Sequence, residues 1–494
     1  LRAQTAALRR GGQGRVGPGG DARYTGRAVT SRPSPLQAAL ALVLGLTALR
    51  LAALFVTPVE LYPDEAQYWL WSRELAFGYF SKPPMVAWLI AATTAVGGDA
   101  EPWVRLSACL LHAGAALALY AVGRRLADGW TGFWAAALYS LMPGVQLSAG
   151  VIATDAPLLF FLSLALLAYT ALRDGGRGRA ALGLGAALGA AALSKYAALY
   201  FIGGLVLHAA LSGEARRIWT ARRLGLAALG LAVVLGPNLA WNAAHGFSTV
   251  GHTAANANWD APGGFQLGQA LEFLAEQLGV FGPIPFAVLI AGTAGLAARR
   301  LLRPADLMLL CLAAPPLLLV TGQAFISRAN ANWAAAAYAP GAVLVAVWLV
   351  RWRARGLLAA TAALQGGLAA AFLLAAAQPG IADALGLSNG LKQARGWEAT
   401  TAEVLRAAER TPALTAVAVD DRFYFNALAY YGRDWWGAPG RPPLRMWVRE
   451  ASAQNQAEAE APLTPETGAR VLAVSAVERF RPEMRADFAA VGAE

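Results

Sequence analysis

Eleven apolar runs dominate this 494-residue sequence, at about residues 36–57, 103–122, 130–149, 155–172, 180–195, 197–212, 224–242, 281–298, 305–322, 334–350 and 357–377. Each is bounded by charge, Pro or Gly. A helix rises about 1.5 Å per residue, so roughly 20 apolar residues match the ~30 Å hydrocarbon layer of a bilayer. Inside that layer a chain has no water to satisfy its peptide groups, and a helix satisfies them within one segment. The repetition therefore predicts an all-α polytopic membrane domain of about 11 crossings.

Arginine fixes the expected orientation. Arg124 and Arg125, Arg173 to Arg179, Arg216 to Arg223, Arg299 to Arg303 and Arg351 to Arg355 occupy every second connection, and Arg9 and Arg10 precede the first run. Cationic loops stay on the cytoplasmic side, which leaves the alternate connections outside. An odd number of crossings also puts everything beyond about residue 378 outside. The expected organisation is a basic, disordered cytoplasmic tail over 1–35, a transmembrane domain over 36–378 and a small external α/β domain over 379–494. Within that last part, Thr401 to Glu409 reads as helix, and Ala416 to Asp420, Leu444 to Val448 and Val471 to Val474 read as strands. The first outward connection contains its own apolar stretch, Pro83 to Val96, too short to cross and read as an interfacial helix. A second long outward segment runs from Trp241 to about Gly279.

Composition excludes two broad classes. Only 14% of residues are charged, against roughly a quarter in soluble proteins, so a soluble enzyme is ruled out. The net charge of +11 is scattered in short clusters between apolar runs. That pattern fits anionic lipid and not nucleic acid. Cys109 and Cys311 both lie inside apolar runs and provide no disulfide framework.

The residues able to do chemistry gather in the outward connections. In the segment at 61–84, LYPDEAQYWLWSRELAFGYFSKPP, Asp64 and Glu65 follow the first run and Lys82 stands in a Ser-Lys-Pro-Pro turn. A carboxylate there can take a proton from an acceptor hydroxyl, and a cation can neutralise a phosphate leaving group. Tyr62, Tyr68, Trp69 and Trp71 read as an interfacial aromatic belt. The whole chain has just three lysines, Lys82, Lys195 and Lys392, which makes two at outward boundaries notable. Asp155 opens the fourth run, where capping explains a carboxylate as well as function does, yet the topology brings it to the face of Asp64. Lys195 and Tyr196 sit at the outward turn after the fifth run, where a phosphate contact and a snorkelling lysine are equally good readings. Arg328 is outward and suited to phosphate. Arg50, within the first run, is expected to snorkel. His112 and His208 are expected to be packed, whereas His252 lies in the long outward loop and is grouped with the substrate-binding residues. No ligand spacing supports a metal there.

The segments Asp64-Glu65-Ala66-Gln67-Tyr68-Trp69 and Gly78-Tyr79-Phe80-Ser81-Lys82-Pro83-Pro84 resemble the bacterial family 39 glycosyltransferases of the GT-C class. Protein O-mannosyltransferases and lipid A aminoarabinose transferases are relatives. The resemblance extends through Ala153-Thr154-Asp155-Ala156-Pro157, Leu193-Ser194-Lys195-Tyr196 and Arg328-Ala329-Asn330-Ala331-Asn332-Trp333, over roughly residues 36–350. It implies an enzyme of the bacterial inner membrane that passes a sugar from a polyprenyl-phosphate carrier to an envelope acceptor on the periplasmic side, usually with inversion. The acceptor would be lipid A or lipopolysaccharide core, another glycan or a protein. By that resemblance Asp64 is the general base, with Glu65 beside it and Asp155 as the second acid. Lys82, Lys195 and Arg328 bind the carrier phosphate, and Tyr196 and His252 complete the substrate contacts. No cofactor is required; a divalent metal is allowed by the family, but the Ser81-Lys82 form marks a subgroup to which a metal role does not carry over. The rival from another class is a lipid-linked-sugar flippase or transporter, which would favour internal repeats and ionisable groups near the midplane.

Overall fold

The computed structural model describes residues 33–255, 265–384, 386, 388–450 and 452–492. The tail expected over 1–35 therefore falls, but for its last three residues, outside the described part. The first half runs α1 (Pro35–Val56), α2 (Pro63–Trp71), α3 (Met85–Gly97), α4 (Glu101–Leu126), α5 (Gly129–Leu141), α6 (Pro143–Gly150), α7 (Asp155–Arg173), α8 (Gly178–Ser194) and α9 (Leu199–Leu211). It continues with α10 (Gly213–Ile218), α11 (Ala221–Ala244), α12 (Ser248–Ala255), α13 (Leu267–Val280), α14 (Pro283–Ala298), α15 (Pro304–Ile326), α16 (Tyr338–Arg351) and α17 (Arg355–Ala377). Every one of the apolar runs is helical. Among the described residues seven helices are long and apolar enough to cross a membrane, and α13 with α14, bent by 118° at Phe281-Gly282, make an eighth if counted together. The arginine clusters collect at one end of the bundle, and α2, α3 and the turn at Lys195 lie at the other, called here the site face.

The third run does not form one continuous helix. Pro143 has no N–H to continue the ladder, so α5 stops at Leu141 and α6 restarts at Pro143. The freed Ser140 carbonyl accepts from Arg50 Nη2 at 2.7 Å, and the same nitrogen donates to Gln146 Oε1 at 2.9 Å. Arg50 is 5% exposed. It does not snorkel; the helix break turns the Ser140 carbonyl to side-chain donors, and Gln146 Nε2 also donates to it, so Arg50 is drawn inward to a small polar cluster.

Close helix contacts rest on small residues. A Cβ added to Gly185 of α8 would fall 1.8 Å from the Ala227 carbonyl of α11. Only glycine lets these two backbones touch, as small residues do in membrane bundles generally.

Beyond α17, α18 (Pro379–Ala384) packs back on α17, and α19 (Trp397–Arg410) and α20 (Arg422–Tyr431) pack on a small parallel sheet of β1 (Ala416–Val419), β2 (Leu444–Met446) and β3 (Val471–Val474), in the order β2-β1-β3. β1 is fully buried, as the central strand of a parallel sheet must be. The expected helix and three strands are all present. The α/β unit is strapped onto the first connection. Glu60 Oε2 accepts from Trp397 N–H at 2.6 Å, Tyr431 Oη accepts from Leu61 N–H at 2.7 Å, and Tyr430 Oη donates to the Asp99 carbonyl at 2.6 Å. Tyr68, Trp69 and Trp71 are buried in this junction, with Trp69 edge-on to Tyr430 at 4.9 Å. They form a packed joint and not an aromatic belt at a lipid interface.

Candidate active site

The first connection becomes helix α2 because Pro63 stands at its first turn and Glu65 closes a capping box back onto Tyr62 N–H at 3.0 Å. This turn splits the acid pair. Glu65 points inward and is 1% exposed, while the neighbouring Asp64 side chain is 56% exposed. Arg105 of α4 meets Glu65 through two parallel bonds, Nε to Oε1 at 2.9 Å and Nη2 to Oε2 at 2.7 Å. Arg105 also donates to the carbonyls of Val59 and Glu60, and Ile152 N–H donates to Glu65 Oε1 at 2.9 Å. With both carboxylate oxygens saturated, Glu65 is the pin that holds α2 against α4 and the segment before α7. Glu65, expected among the catalytic residues, is thus buried and bonded through both oxygens, unlike its exposed neighbour Asp64.

Asp155 sits at the first residue of α7, 8% exposed. Lys195 Nζ, delivered by the extended residue that ends α8, reaches its Oδ1 at 2.8 Å. Asn332 Nδ2 donates to the other oxygen at 2.9 Å. Lys195 therefore neutralises Asp155 and does not snorkel. Tyr68 lies against both acids: burial first, then the charges of Asp64 and Asp155, push its hydroxyl well above the ordinary tyrosine range.

Lys82 is the remaining cation of the group. It is half-buried in the Ser-Lys-Pro-Pro turn and makes no ion pair among the described residues. Its pKa is lowered, mainly by desolvation and then by Lys195, while Asp64 and Asp155 pull the other way. Burial, Lys82 and Arg422 lower the pKa of His252 as well, so near neutral pH it offers a hydrogen bond rather than a charge. Its ring stands 6.1 Å from that of Phe80. Asp64, Lys82, Asp155 and Lys195 are thus gathered at one place on the site face.

Two other expected residues stand apart. Tyr196 is engaged in the fold, with its hydroxyl between Asn238 Oδ1 and Asn242 Nδ2, each at 3.3 Å. Arg328 is exposed, four residues before Asn332, and makes no ion pair among the described residues. Among the described residues no three His, Cys, Asp or Glu side chains are grouped to hold a metal ion. The structure adds Arg422, whose Nη1 donates to Gln67 Oε1 at 3.2 Å and lies 3.8 Å from Asp64 Oδ1. No spacing in the sequence joins two residues so far apart in the chain. Asp420 and Asp421, its neighbours, are turn residues: Asp420 accepts from Ala476 N–H and Asp421 caps α20.

Comparison with solved structures identifies the architecture. The chain superposes on ArnT from Cupriavidus metallidurans bound to undecaprenyl phosphate with a TM-score of 0.64 at 18% identity, over 91% of this chain and 95% of that one. The chain has the GT-C fold. The oligosaccharyltransferase of Archaeoglobus fulgidus also aligns, with a TM-score of 0.50 at 15% identity, over 81% of this chain and 62% of that one. In sequence, residues 81–241 match the family model of dolichyl-phosphate-mannose-protein mannosyltransferases. A lipid A galacturonosyltransferase, RgtD of Rhizobium johnstonii, is 42% identical over 320 residues, which are 63% of this chain and 65% of that protein. The chain thus spans about two-thirds of the curated relative it matches. These likenesses bear out the resemblance drawn from the sequence, and the chain is a multi-pass membrane protein.

Proposed function

We propose that this protein is an inverting glycosyltransferase of the bacterial inner membrane that moves a sugar from a polyprenyl-phosphate carrier to lipid A on the periplasmic side. The observation that carries the reading is Lys82, a half-buried cation without an ion-pair partner among the described residues, held beside one exposed and one lysine-paired carboxylate. An unpaired buried cation is costly unless an anion arrives to pair with it. A carrier phosphate is such an anion, and the charge on it grows as the glycosidic bond breaks, so Lys82 holds the transition state more tightly than the ground state.

Asp64 is the general base. It faces solvent where an acceptor hydroxyl can reach, whereas Glu65 and Asp155 are already committed to Arg105 and Lys195. Attack by the acceptor oxygen on the anomeric carbon expels the carrier phosphate from the opposite face, and Asp64 takes the hydroxyl proton. Lys195 and Asn332 keep Asp155 fixed as a neighbour of the sugar. The cations supply the charge neutralisation, and no metal is invoked. Lipid A is favoured among the acceptors, and a hexuronic acid among the sugars, on the strength of the relative's activity.

The test uses purified protein in lipid with a radiolabelled polyprenyl-phosphate hexuronic acid and lipid A. The expected products are labelled lipid A and polyprenyl phosphate in equal amounts. Movement of the intact donor across the bilayer, with no new glycoside, would turn the reading to a flippase.

A further inference from the structure

Arg422 enters the site from the α/β unit, on the first turn of α20, and of the two ion-paired cations there, Lys195 and Arg422, it is the less firmly held. Its 3.8 Å contact with Asp64 is long beside the 2.8 Å of the Lys195–Asp155 pair, and charge-assisted bonds ordinarily lie near ~2.8 Å. The two side chains keep 37% and 56% exposure, so water and ligand both reach them. Among the described residues the guanidinium makes one hydrogen bond, from Nη1 to Gln67. Arg105 is the contrast, since its Nε, Nη1 and Nη2 all donate to Glu65 or to backbone carbonyls. Gln67 is itself buried and aims the Arg422 fork at the cluster. Lys195 is neutralised by Asp155 and Lys82 is assigned the carrier phosphate, which leaves the planar fork of Arg422 for a further anion.

We propose that Arg422 binds an oxyanion of the substrate, either a carboxylate on the transferred sugar or a phosphate on the glycolipid acceptor, and that this draws Arg422 away from Asp64. The fork matches either group in a bidentate way that a lysine does not. Once its weak partner has turned to the substrate, the Asp64 carboxylate is free to accept the proton of the acceptor hydroxyl. The α/β unit then contributes a substrate-binding residue and makes its firm attachment to the first connection a requirement for selectivity. This inference rests on the glycosyltransferase reading of the same cluster.

The experiment uses the full chain in lipid nanodiscs and compares wild type, R422Q and R422K. The donors are a polyprenyl-phosphate hexuronic acid and the corresponding hexose, and the acceptors are lipid A with and without its phosphates. R422Q is expected to lose at least tenfold in kcat/KM with the substrate carrying the recognised oxyanion, relative to the counterpart lacking it, and R422K to recover part of that ratio. A loss confined to the hexuronic donor places the oxyanion on the sugar; a loss confined to the phosphorylated acceptor places it on lipid A. An equal loss in all four combinations, or none, overturns the proposal and leaves Arg422 as a docking residue. If R422Q does not fold, the same ratio from R422K decides, because that variant keeps the charge and loses the fork. Failure of wild type in every combination sinks the glycosyltransferase reading instead, and equilibrium binding of the same four lipids to wild type and R422K then decides the role of Arg422.

Discussion

Replacing Glu65 by Gln separates a carboxylate that holds the site together from one that reacts. The pair with Arg105 is buried on both sides, at 1% and 2% exposure, and closed by two bonds of 2.9 and 2.7 Å. Gln keeps the shape of Glu and removes the charge, so Arg105 is left as a buried cation facing an amide. Breaking such a pair costs about 3–5 kcal/mol. The Val59 and Glu60 carbonyls still accept from Arg105, which places the expected loss at the lower end, about 3 kcal/mol. Unfolding entropy of ~2.1 cal/mol/K per residue gives roughly 1 kcal/mol/K for a chain of this length. The melting temperature should fall by about 3 °C if the chain melts as one unit, and by more if α2 and its neighbours open on their own. The assay is thermal unfolding in detergent followed by tryptophan fluorescence, with the double variant Glu65→Gln/Arg105→Gln as the coupling control. The double variant should lose less than the two single losses added together, by roughly 1–3 kcal/mol. Wild-type melting with transfer abolished in Glu65→Gln would refute the positioning role and return Glu65 to the chemistry.

Three further outcomes follow from the geometry. Because burial and Lys195 lower the pKa of Lys82, that lysine loses its charge at a lower pH than an ordinary lysine. The alkaline limb of kcat/KM, which reports the free enzyme, should fall below the ordinary lysine value, and Lys82→Arg should remove it; a limb at that ordinary value contradicts the assignment. Asn332→Ala removes a hydrogen bond to a charged group worth about 1.5–3 kcal/mol, so melting should fall by about 1.5–3 °C and transfer should drop as Asp155 loses its second partner, measured by initial rates alongside thermal unfolding. Gly185→Val forces α8 off α11, where a Cβ meets the Ala227 carbonyl at 1.8 Å, and should lower both yield of folded protein and melting temperature; a variant as stable as wild type would show that the contact yields easily.

The bundle was legible because its signal is chemical and repetitive. Apolar runs give the crossings and arginine gives the alternate ends, and neither depends on a distant partner. The meeting of Asp64, Lys82, Asp155 and Lys195 was readable for the same reason, since topology alone puts their connections on one face. What stayed hidden depends on contacts across the chain. Asp64 and Glu65 are adjacent in sequence, and only the turn of α2 against Arg105 shows that one faces solvent and the other does not. Arg50 reads as a snorkelling residue until the break between α5 and α6 is seen to turn the Ser140 carbonyl and Gln146 toward it. Arg422 sits in a turn of the α/β unit, with nothing nearby in sequence to mark it as a partner of the first connection.

The central claim is that the exposed Asp64 is the base of a sugar transfer from a lipid carrier. The most direct measurement is the initial rate of labelled sugar transfer from polyprenyl phosphate to lipid A by wild type and Asp64→Asn at matched melting temperature. A fall of about 10²–10⁴-fold, the usual contribution of a positioned base, is the predicted result. Transfer at the wild-type rate by a folded Asp64→Asn protein would contradict it.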